Sequence, residues 1–146
     1  MTAEIRAFAQ ADRDEVLRIF RLNTPTFFAP EEVAELERYL DKHAATYFVV
    51  VEDHKVVGCG GYHVQAGIGR LSWDFFDPAH RGKGFGKRLI EHCLAKLKER
   101  KDVQTTAVWT SQLAFGFYEK FGFRIVEIRP DHWGPGLHLY RMEIPG

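Results

Sequence analysis

The run His80-Arg-Gly-Lys-Gly-Phe-Gly-Lys87 lies between a predicted strand and a predicted amphipathic helix. Glycines let the backbone turn tightly and approach a ligand closely, and the start of a helix exposes N–H donors at the positive end of its dipole. Cations are unfavourable there by about 0.3–1 kcal/mol each, yet Arg81, Lys83, Lys87 and Arg88 crowd this end. Because a bound polyanion reverses that repulsion, the run predicts a phosphate or pyrophosphate site. A plain glycine-rich turn is the alternative.

The spacing of the run excludes two well-known phosphate loops. A Walker loop needs a glycine five residues before Gly86, where Arg81 stands, and a Ser or Thr where Arg88 stands. The dinucleotide fingerprint GxGxxG fails from both glycines that could open it, because Lys87 and Leu89 stand where its last glycine belongs.

Outward from this run, hydrophobic periodicity predicts alternating elements along the chain. Predicted helices span Ala11–Leu22, Pro30–His43, Gly84–Arg100 and Leu113–Lys120. Predicted strands span Glu4–Ala9, Tyr47–Glu52, Lys55–Gln65, Arg70–Asp77, Val103–Trp109, Arg124–Arg129 and Leu137–Glu143. The order β-α-α-β-β-β-α-β-α-β-β predicts an α/β fold, a sandwich around a mixed sheet. We expect residues 1–146 to form one domain.

Composition excludes several functional classes. Lys plus Arg and Asp plus Glu both number 20, so the net charge is zero, which argues against nucleic-acid binding through a basic face. No segment has the apolar length of a signal peptide or a membrane span, so we predict a cytoplasmic protein without membrane contact. The two cysteines, Cys59 and Cys93, lack metal-ligand spacing. We expect no metal and two reduced, mostly buried thiols, with a reactive Cys59 as the alternative.

Several motifs together resemble one family. Arg81-Gly-Lys-Gly-Phe-Gly86 fits the Arg/Gln-x-x-Gly-x-Gly/Ala signature of the GNAT acetyltransferase superfamily, and Phe76-Asp-Pro-Ala-His80 resembles the end of that family's fourth strand. The run from Ser111 to Phe123 is similar to the family's second block, and Gly134 to Met142 to its final strand. The resemblance implies a GNAT-like three-layer sandwich, in which about four helices flank a twisted mixed sheet of about seven strands.

The resemblance also implies acetyl-CoA as the acyl donor. In that family the loop amides bind the pyrophosphate of coenzyme A, and the fourth strand diverges from the fifth and pairs with the pantetheine arm. Ser111 stands where the family usually has Asn, so its hydrogen bond to the arm is expected on weaker grounds. The cofactor residues implied here are Phe75, Phe76, Arg81, Gly82, Lys83, Gly84, Phe85, Gly86, Lys87 and Ser111.

Tyr118 matches the family's catalytic tyrosine, which protonates the departing thiolate. A general acid typically contributes about 10²–10⁴-fold to the rate. The alternative is that Tyr118, close to Phe115, Phe117 and Phe121 in the chain, is one more core aromatic.

The acceptor amine must lose a proton before or during attack, and Asp74 is the candidate base. It lies between Trp73 and Phe75, where burial would raise the pKa of its carboxyl. A solvent-facing or capping Asp74 is the alternative, as are His63, His132 or ordered water in the role of base.

Aromatic residues predict the acceptor pocket, although core packing is the alternative for about half of them. The predicted lining comprises Phe27, Phe28, Tyr62, Trp73 and Trp133, with Thr24 beside them. Asp131 is a candidate to bind a cationic substrate tail.

The predicted reaction is direct attack of a primary amine on acetyl-CoA in a ternary complex, because only Cys59 is a candidate for a covalent nucleophile. Neutral charge and a short chain favour a small-molecule amine, and we expect a monomer or homodimer. One alternative is an acyl-CoA-binding sensor without turnover. Another is acetylation of a protein or peptide amine, although Thr106 stands where some family members that acetylate protein N-termini carry a Glu base.

Overall fold

The computed structural model describes residues 3–80 and 82–145, which contain seven strands in one sheet and four α-helices. The strands are β1 (Ala3–Ala7), β2 (Tyr47–Glu52), β3 (Lys55–Gln65), β4 (Ile68–Phe76), β5 (Thr105–Thr110), β6 (Arg124–Gly134) and β7 (Leu137–Pro145). The helices are α1 (Arg13–Leu22), α2 (Val33–His43), α3 (Phe85–Lys98) and α4 (Phe115–Glu119). The predicted α/β class and order of elements are confirmed.

The sheet is mixed, with the strand order β1-β2-β3-β4-β5-β7-β6. Strands β4 and β5 are parallel, and every other neighbouring pair is antiparallel. The parallel pair is joined by a crossover through α3, as parallel strands require. This places the glycine run, which enters α3, directly after the end of β4.

Two helical layers cover the sheet because side chains alternate between the faces of each strand. Tyr47 and Val49 of β2 pack with α1 and α2, whereas Phe48 and Val50 pack with α3. Both faces therefore carry a hydrophobic core, which gives the predicted three layers.

A bulge at Trp73 bends β4 in the middle of the sheet. Trp73 has a φ of 54°, a left-handed conformation that is rare for a bulky residue, and the β3–β4 register shifts opposite it, between Cys59 and Gly61. Pairing between β4 and β5 ends at Leu71 and Val108. Beyond that point the two parallel strands no longer pair with each other, and the sheet is open between them.

Most predicted boundaries are correct within two residues, and the largest difference is at β6. This strand runs to Gly134, five residues beyond the predicted end at Arg129. Pro130 lies within it, which is tolerated because β6 is an edge strand. Helices α1 and α2 are each preceded by a single 3₁₀ turn, at Gln10–Asp12 and Pro30–Glu32. The predicted helices included residues 11–12 of the first turn and all of the second. Among the described residues, no helix is long and apolar enough to cross a membrane.

Candidate active site

A cleft of about 1060 Å³ occupies the opening between β4 and β5. It extends from the amino-terminal end of α3, past residues 70–76 of β4, to the inner face of α2. Because the strands are unpaired here, the backbone of β4 beyond Leu71 has no neighbouring strand on the β5 side. The cleft therefore offers an unpaired strand edge and a helix start in one cavity.

The glycine run forms one end of the cleft. Gly82 and Gly84 have φ values of 82° and 78°, in the left-handed region that favours glycine, and both line the cleft. Gly84 is the N-cap of α3 and the first turn holds no acidic residue. The amides of residues 85–87 therefore have no acceptor within the helix, and this helix start is suited to an anion.

Gly86 leaves room for a ligand at the same end. A Cβ atom at this position would lie 3.3 Å from the Phe117 ring, closer than an ordinary van der Waals contact. A larger residue would therefore push against α4 and narrow the cleft.

The predicted cluster of four cations is only partly present in the described residues. The Lys83 Nζ atom lies 3.1 Å from Glu52 Oε1, and the Arg88 guanidinium donates to the Ala3 carbonyl at 2.9 Å. Lys87 lines the cleft, whereas Lys83 does not. Arg81 lies outside the described residues, so its predicted role stays a prediction. Positive charge at the helix start is thus lower than the sequence indicated, since the partner of Lys83 is 31 residues away in the chain.

Tyr118 and Asp74 meet at the middle of the cleft. The Tyr118 hydroxyl donates a hydrogen bond to the Asp74 carboxylate, and both residues line the cavity. Burial raises the pKa of Asp74, which the hydrogen bond from Tyr118 counteracts in part. Burial, together with the charge of Asp74, raises the pKa of Tyr118 well above its usual value. The Tyr118 phenol therefore stays neutral, and it lies next to a carboxyl whose raised pKa favours the protonated form.

Asp74 faces α3 rather than solvent. A Cβ atom on Gly60 of the adjacent strand would lie 2.7 Å from the Asp74 Cβ and 2.9 Å from Leu89 of α3. Asp74 is half-buried at the wall of the cleft, and its carboxylate is held by Tyr118 rather than free in solvent. Tyr118 is also a core residue, since it packs edge-on against Phe117 and Phe123.

An aromatic wall forms the opposite side of the cleft. Phe28 stacks on Trp73 with ring centroids 5.9 Å apart, and the Trp133 indole donates to the Thr110 carbonyl at 3.0 Å. Phe27, Phe28, Trp73 and Trp133 all line the cavity, as predicted for the acceptor pocket. Their roles in binding stay a prediction.

Tyr62 does not belong to this wall. It is only 6% exposed, stacks on Phe48 at 6.3 Å and lies in the core under α3, outside the cleft. Residues 59–62 of β3 alternate regularly: Cys59 packs on the α1/α2 face, whereas Gly60 and Tyr62 lie on the α3 face, where Tyr62 is covered by the core.

Three further residues near the predicted acceptor pocket lie outside the cleft lining. The Asp131 carboxylate accepts the Gly136 N–H at 2.7 Å and so stabilises the β6–β7 hairpin rather than facing the cavity. The Thr24 hydroxyl donates to the Arg21 carbonyl at 2.8 Å. His132 is exposed beside Trp133.

The coenzyme residues expected on β4 and after β5 line the cleft. Phe75 is 4% exposed, and Phe76 lies beside Gly86. The Phe76 carbonyl already accepts a hydrogen bond from the Asn23 side chain at 2.9 Å. The Ser111 hydroxyl accepts the Leu113 N–H at 3.2 Å, so it helps to form the turn into α4.

Other candidates for a base or nucleophile are poorly suited to those roles. His63 lies between the Tyr39 hydroxyl at 3.3 Å and the Ser72 hydroxyl at 3.2 Å, and its pKa is lowered to about 4 by burial and by the nearby charge of Arg70. Cys59 is fully buried, and burial raises the pKa of its thiol. The expectation that the thiols are buried is confirmed, since Cys93 is 1% exposed.

Sequence reasoning missed several residues that line the cleft. Arg70 stacks on Trp109, with its guanidinium carbon 3.9 Å from the ring centroid. Glu32 is 7% exposed and accepts the Ala29 N–H at 2.8 Å, and burial raises its pKa to about 7. A signal existed for Arg70, because an arginine inside a predicted strand needs a partner or solvent. None existed for Glu32, which read as an ordinary acidic residue in the first turn of a helix.

The described residues hold no group of three or more His, Cys, Asp or Glu side chains placed to bind a metal.

Comparison with known proteins identifies relatives of the chain. The model of the Acetyltransferase (GNAT) family matches residues 14–123. Peptidyl-lysine N-acetyltransferase YjaB from Escherichia coli (strain K12) is 30% identical over 134 residues, which cover 86% of this chain and 84% of that protein. YjaB from Salmonella typhimurium (strain LT2) is 28% identical over 134 residues, covering 86% of each protein.

Solved structures share the fold. Ard1 from Thermoplasma volcanium superposes with a TM-score of 0.82 at 21% identity and covers 99% of this chain and 98% of its own. N-acetylglutamate synthase from Neisseria gonorrhoeae, solved with coenzyme A and N-acetyl-glutamate, superposes with a TM-score of 0.75 at 16% identity, over 99% of this chain and 35% of that one. These similarities concern the fold, because the sequence identities are low.

Proposed function

The chain belongs to the Acetyltransferase (GNAT) family, and on that premise we propose that it moves the acetyl group of acetyl-CoA to a primary amine by direct attack in a ternary complex. The family and its named acetyltransferase relatives support an acetyl-transferring enzyme, which favours catalysis over the alternative of a sensor. The observation that carries the proposal is the single cleft that joins an anion-suited helix start to the Tyr118–Asp74 pair.

The cleft suits acetyl-CoA in two respects. The free amides at the start of α3 and the nearby Lys87 suit the pyrophosphate. The unpaired edge of β4 suits the amide groups of the pantetheine arm, which add to a strand edge as an extended peptide does. The Phe76 carbonyl already accepts one hydrogen bond from Asn23, so it has one lone pair left for the arm.

Tyr118 and Asp74 act in one proton pathway under this proposal. The amine nitrogen attacks the thioester carbon, a C–N bond forms and the C–S bond breaks. The amine proton passes to Asp74, directly or through water, Asp74 returns a proton to Tyr118, and Tyr118 protonates the departing thiolate. Protons balance, because the amine loses one and the thiol gains one. The hydrogen bond between the two side chains supports the middle step.

We propose a small-molecule amine as the acceptor and retain the lysine side chain of a peptide as a second candidate. The aromatic wall of Phe28, Trp73 and Trp133 supports an acceptor that sits inside the cleft. The second candidate rests on the relatives named peptidyl-lysine N-acetyltransferase.

Three further expectations stay predictions: a cytoplasmic location, a monomeric or dimeric state, and a single domain over residues 1–146.

The experiment that tests the proposal measures thermal stability with acetyl-CoA. A ligand at about 100 times its Kd stabilises the folded state by about 2.7 kcal/mol. At about 2–4 °C per kcal/mol for a chain of this size, Tm should rise by about 5–11 °C. Gly84→Glu should abolish this rise, because it places a negative charge at the helix start.

Gly122→Glu is the matched control. Gly84 and Gly122 both have positive φ and are exposed, and a Cβ atom added at either position would meet no other atom within 4 Å, so their substitutions share the same backbone strain. Gly122 lies outside the cleft. We expect the control to lose intrinsic stability yet keep the acetyl-CoA shift. An unchanged shift in Gly84→Glu would remove the helix start from the site.

A further inference from the structure

Arg70 is a partly buried cation with no ion-pair partner among the described residues. Its Nε atom is shielded from solvent and makes no hydrogen bond within the described part of the chain, and its side chain forms no ion pair with the carboxylates described there. Burial lowers the pKa of Arg70 to about 10, and no carboxylate acts against that effect. Because an unpaired buried charge is strongly unfavourable, this position is suited to an anion that the protein itself does not supply.

The guanidinium of Arg70 lies over the face of the Trp109 indole. The guanidinium carbon lies 3.9 Å from the centroid of the indole ring. An interaction through the face of the guanidinium does not use its N–H groups, which lie in its plane and form a fork that matches a carboxylate. The ring therefore holds the guanidinium in place without acting as its hydrogen-bond acceptor.

The groups around Arg70 are neutral or positive. His63 and Ser72 share a hydrogen bond at 3.2 Å, and His43 stacks on His63 with centroids 4.8 Å apart. The pKa of His63 is lowered to about 4, so this imidazole is uncharged near neutral pH. Glu32 and Glu35 of the same cleft form no ion pair with Arg70.

We infer that Arg70, held by Trp109, binds a carboxylate carried by the amine acceptor, so that the acceptor is an amino acid or a similar amino carboxylate. The inference rests on the proposed function and names its substrate class. A carboxylate fits better than a phosphate dianion, because one buried positive charge is balanced by one negative charge. Arg70 precedes Asp74 by four residues, at most about 13 Å along the strand, because the bulge at Trp73 shortens the stretch between them. The distance between amine and carboxylate is therefore a property that experiment can measure.

A length series of acceptors tests the inference. The acceptors are unbranched ω-amino acids of increasing length. Each is compared with the alkylamine, the ω-amino amide and the aminoalkyl phosphonate of equal length. Acetyl-CoA is saturating, and the acetylated product is measured by mass spectrometry. We expect one length at which kcat/KM for the carboxylate exceeds that of its alkylamine and amide by at least about tenfold, through KM. Equal values for carboxylate and amide at every length would overturn the inference, and a preferred phosphonate would overturn the choice of carboxylate.

Variants of Arg70 separate binding from folding. Arg70→Gln should raise KM for the preferred carboxylate at least about tenfold and leave kcat/KM for the alkylamine nearly unchanged. Arg70→Lys keeps the charge but loses the fork, so its KM should lie between those of the wild type and Arg70→Gln. Arg124→Gln, an exposed arginine on β6 outside the cleft, is the control and should match the wild type. Equal losses for carboxylate and alkylamine in Arg70→Gln would contradict a role in recognition.

A measurement on the wild-type protein does not depend on the folding of any variant. In the presence of coenzyme A near pH 7, where a carboxylate is ionised, an amine-free carboxylate of the preferred length should shift the NMR signals of the Arg70 guanidinium and the Trp109 indole, because it binds beside their contact. Unchanged signals would overturn the subsite. Failure to acetylate any amine would refute the proposed function instead, and shifted Arg70 signals in that case would still support the anion subsite. Peptide lysines acetylated without any effect of Arg70→Gln would refute the inference and leave acetyl transfer intact.

Discussion

Replacing Tyr118 by Phe removes the only hydroxyl that donates to the buried Asp74 carboxylate in the described structure. A hydrogen bond to a charged group contributes about 1.5–3 kcal/mol, so we expect a loss of stability of that size. At about 2–4 °C per kcal/mol, Tm should fall by about 3–12 °C. Turnover should fall at least about tenfold, since a general acid contributes about 10²–10⁴-fold, whereas the acetyl-CoA-induced rise in Tm should persist.

The loss of stability should depend on pH with a definite sign. Burial raises the folded-state pKa of Asp74 above its unfolded value of about 4. A carboxyl with a raised folded-state pKa favours folding below its unfolded pKa, and that contribution is lost as pH rises through the folded pKa. Tyr118→Phe removes the hydrogen bond that lowers this pKa, so the folded pKa rises further. The destabilisation should therefore be larger at about pH 8 than at about pH 5.

A double-mutant cycle provides the decisive assay. Urea unfolding is measured at both pH values for the wild type, Tyr118→Phe, Asp74→Asn and the double variant. Groups in direct contact couple by about 0.5–3 kcal/mol, whereas independent sites add within about 0.3–0.5 kcal/mol. Additive losses that do not change with pH would refute the coupling of these two side chains. Full turnover in Tyr118→Phe would return Tyr118 to a purely structural role.

The remaining predictions concern three other side-chain changes. If Asp74 accepts the amine proton, the rate should fall as pH drops through the raised pKa of Asp74. Asp74→Asn should remove this acidic limb from the pH–rate profile. A retained limb would show that another group accepts the proton. Burial of Glu32 should favour folding below about pH 4.5, and that contribution should be lost as pH rises through about 7. Glu32→Gln should therefore flatten the pH dependence of the urea midpoint. An unaltered pH dependence would contradict the raised pKa of Glu32. Tyr47→Phe removes the hydroxyl that donates to the Trp73 carbonyl at 2.7 Å. The free energy of unfolding, measured by thermal unfolding, should fall by about 1 kcal/mol. An unchanged free energy would mean that water replaces the hydroxyl.

Local patterns predicted the scaffold well. The bounds of β2 and β3 agree with the prediction, because their β-branched residues and the Asp53-His54 turn are local signals; both turn residues have positive φ, as a tight hairpin requires. The glycine run was placed correctly at the start of α3, since Gly84 is its N-cap.

Features that depend on distant contacts were not predictable. The bulge at Trp73 places a bulky aromatic residue at positive φ, which no propensity favours. It adds one residue to β4 between Ser72 and Phe75 and so changes the register of β3 against β4. The ion pair between Lys83 and Glu52 joins residues 31 positions apart, so the sequence overstated the free charge at the helix start.

The chain contains three tryptophans, and Trp73, Trp109 and Trp133 all line the same cleft. Intrinsic ultraviolet emission from this protein is consequently a local optical probe. Its wavelength and intensity report on the polarity around β4, β5 and the end of β6, and they are insensitive to fraying elsewhere in the sheet. Occupancy of the cavity can therefore be followed without an attached dye.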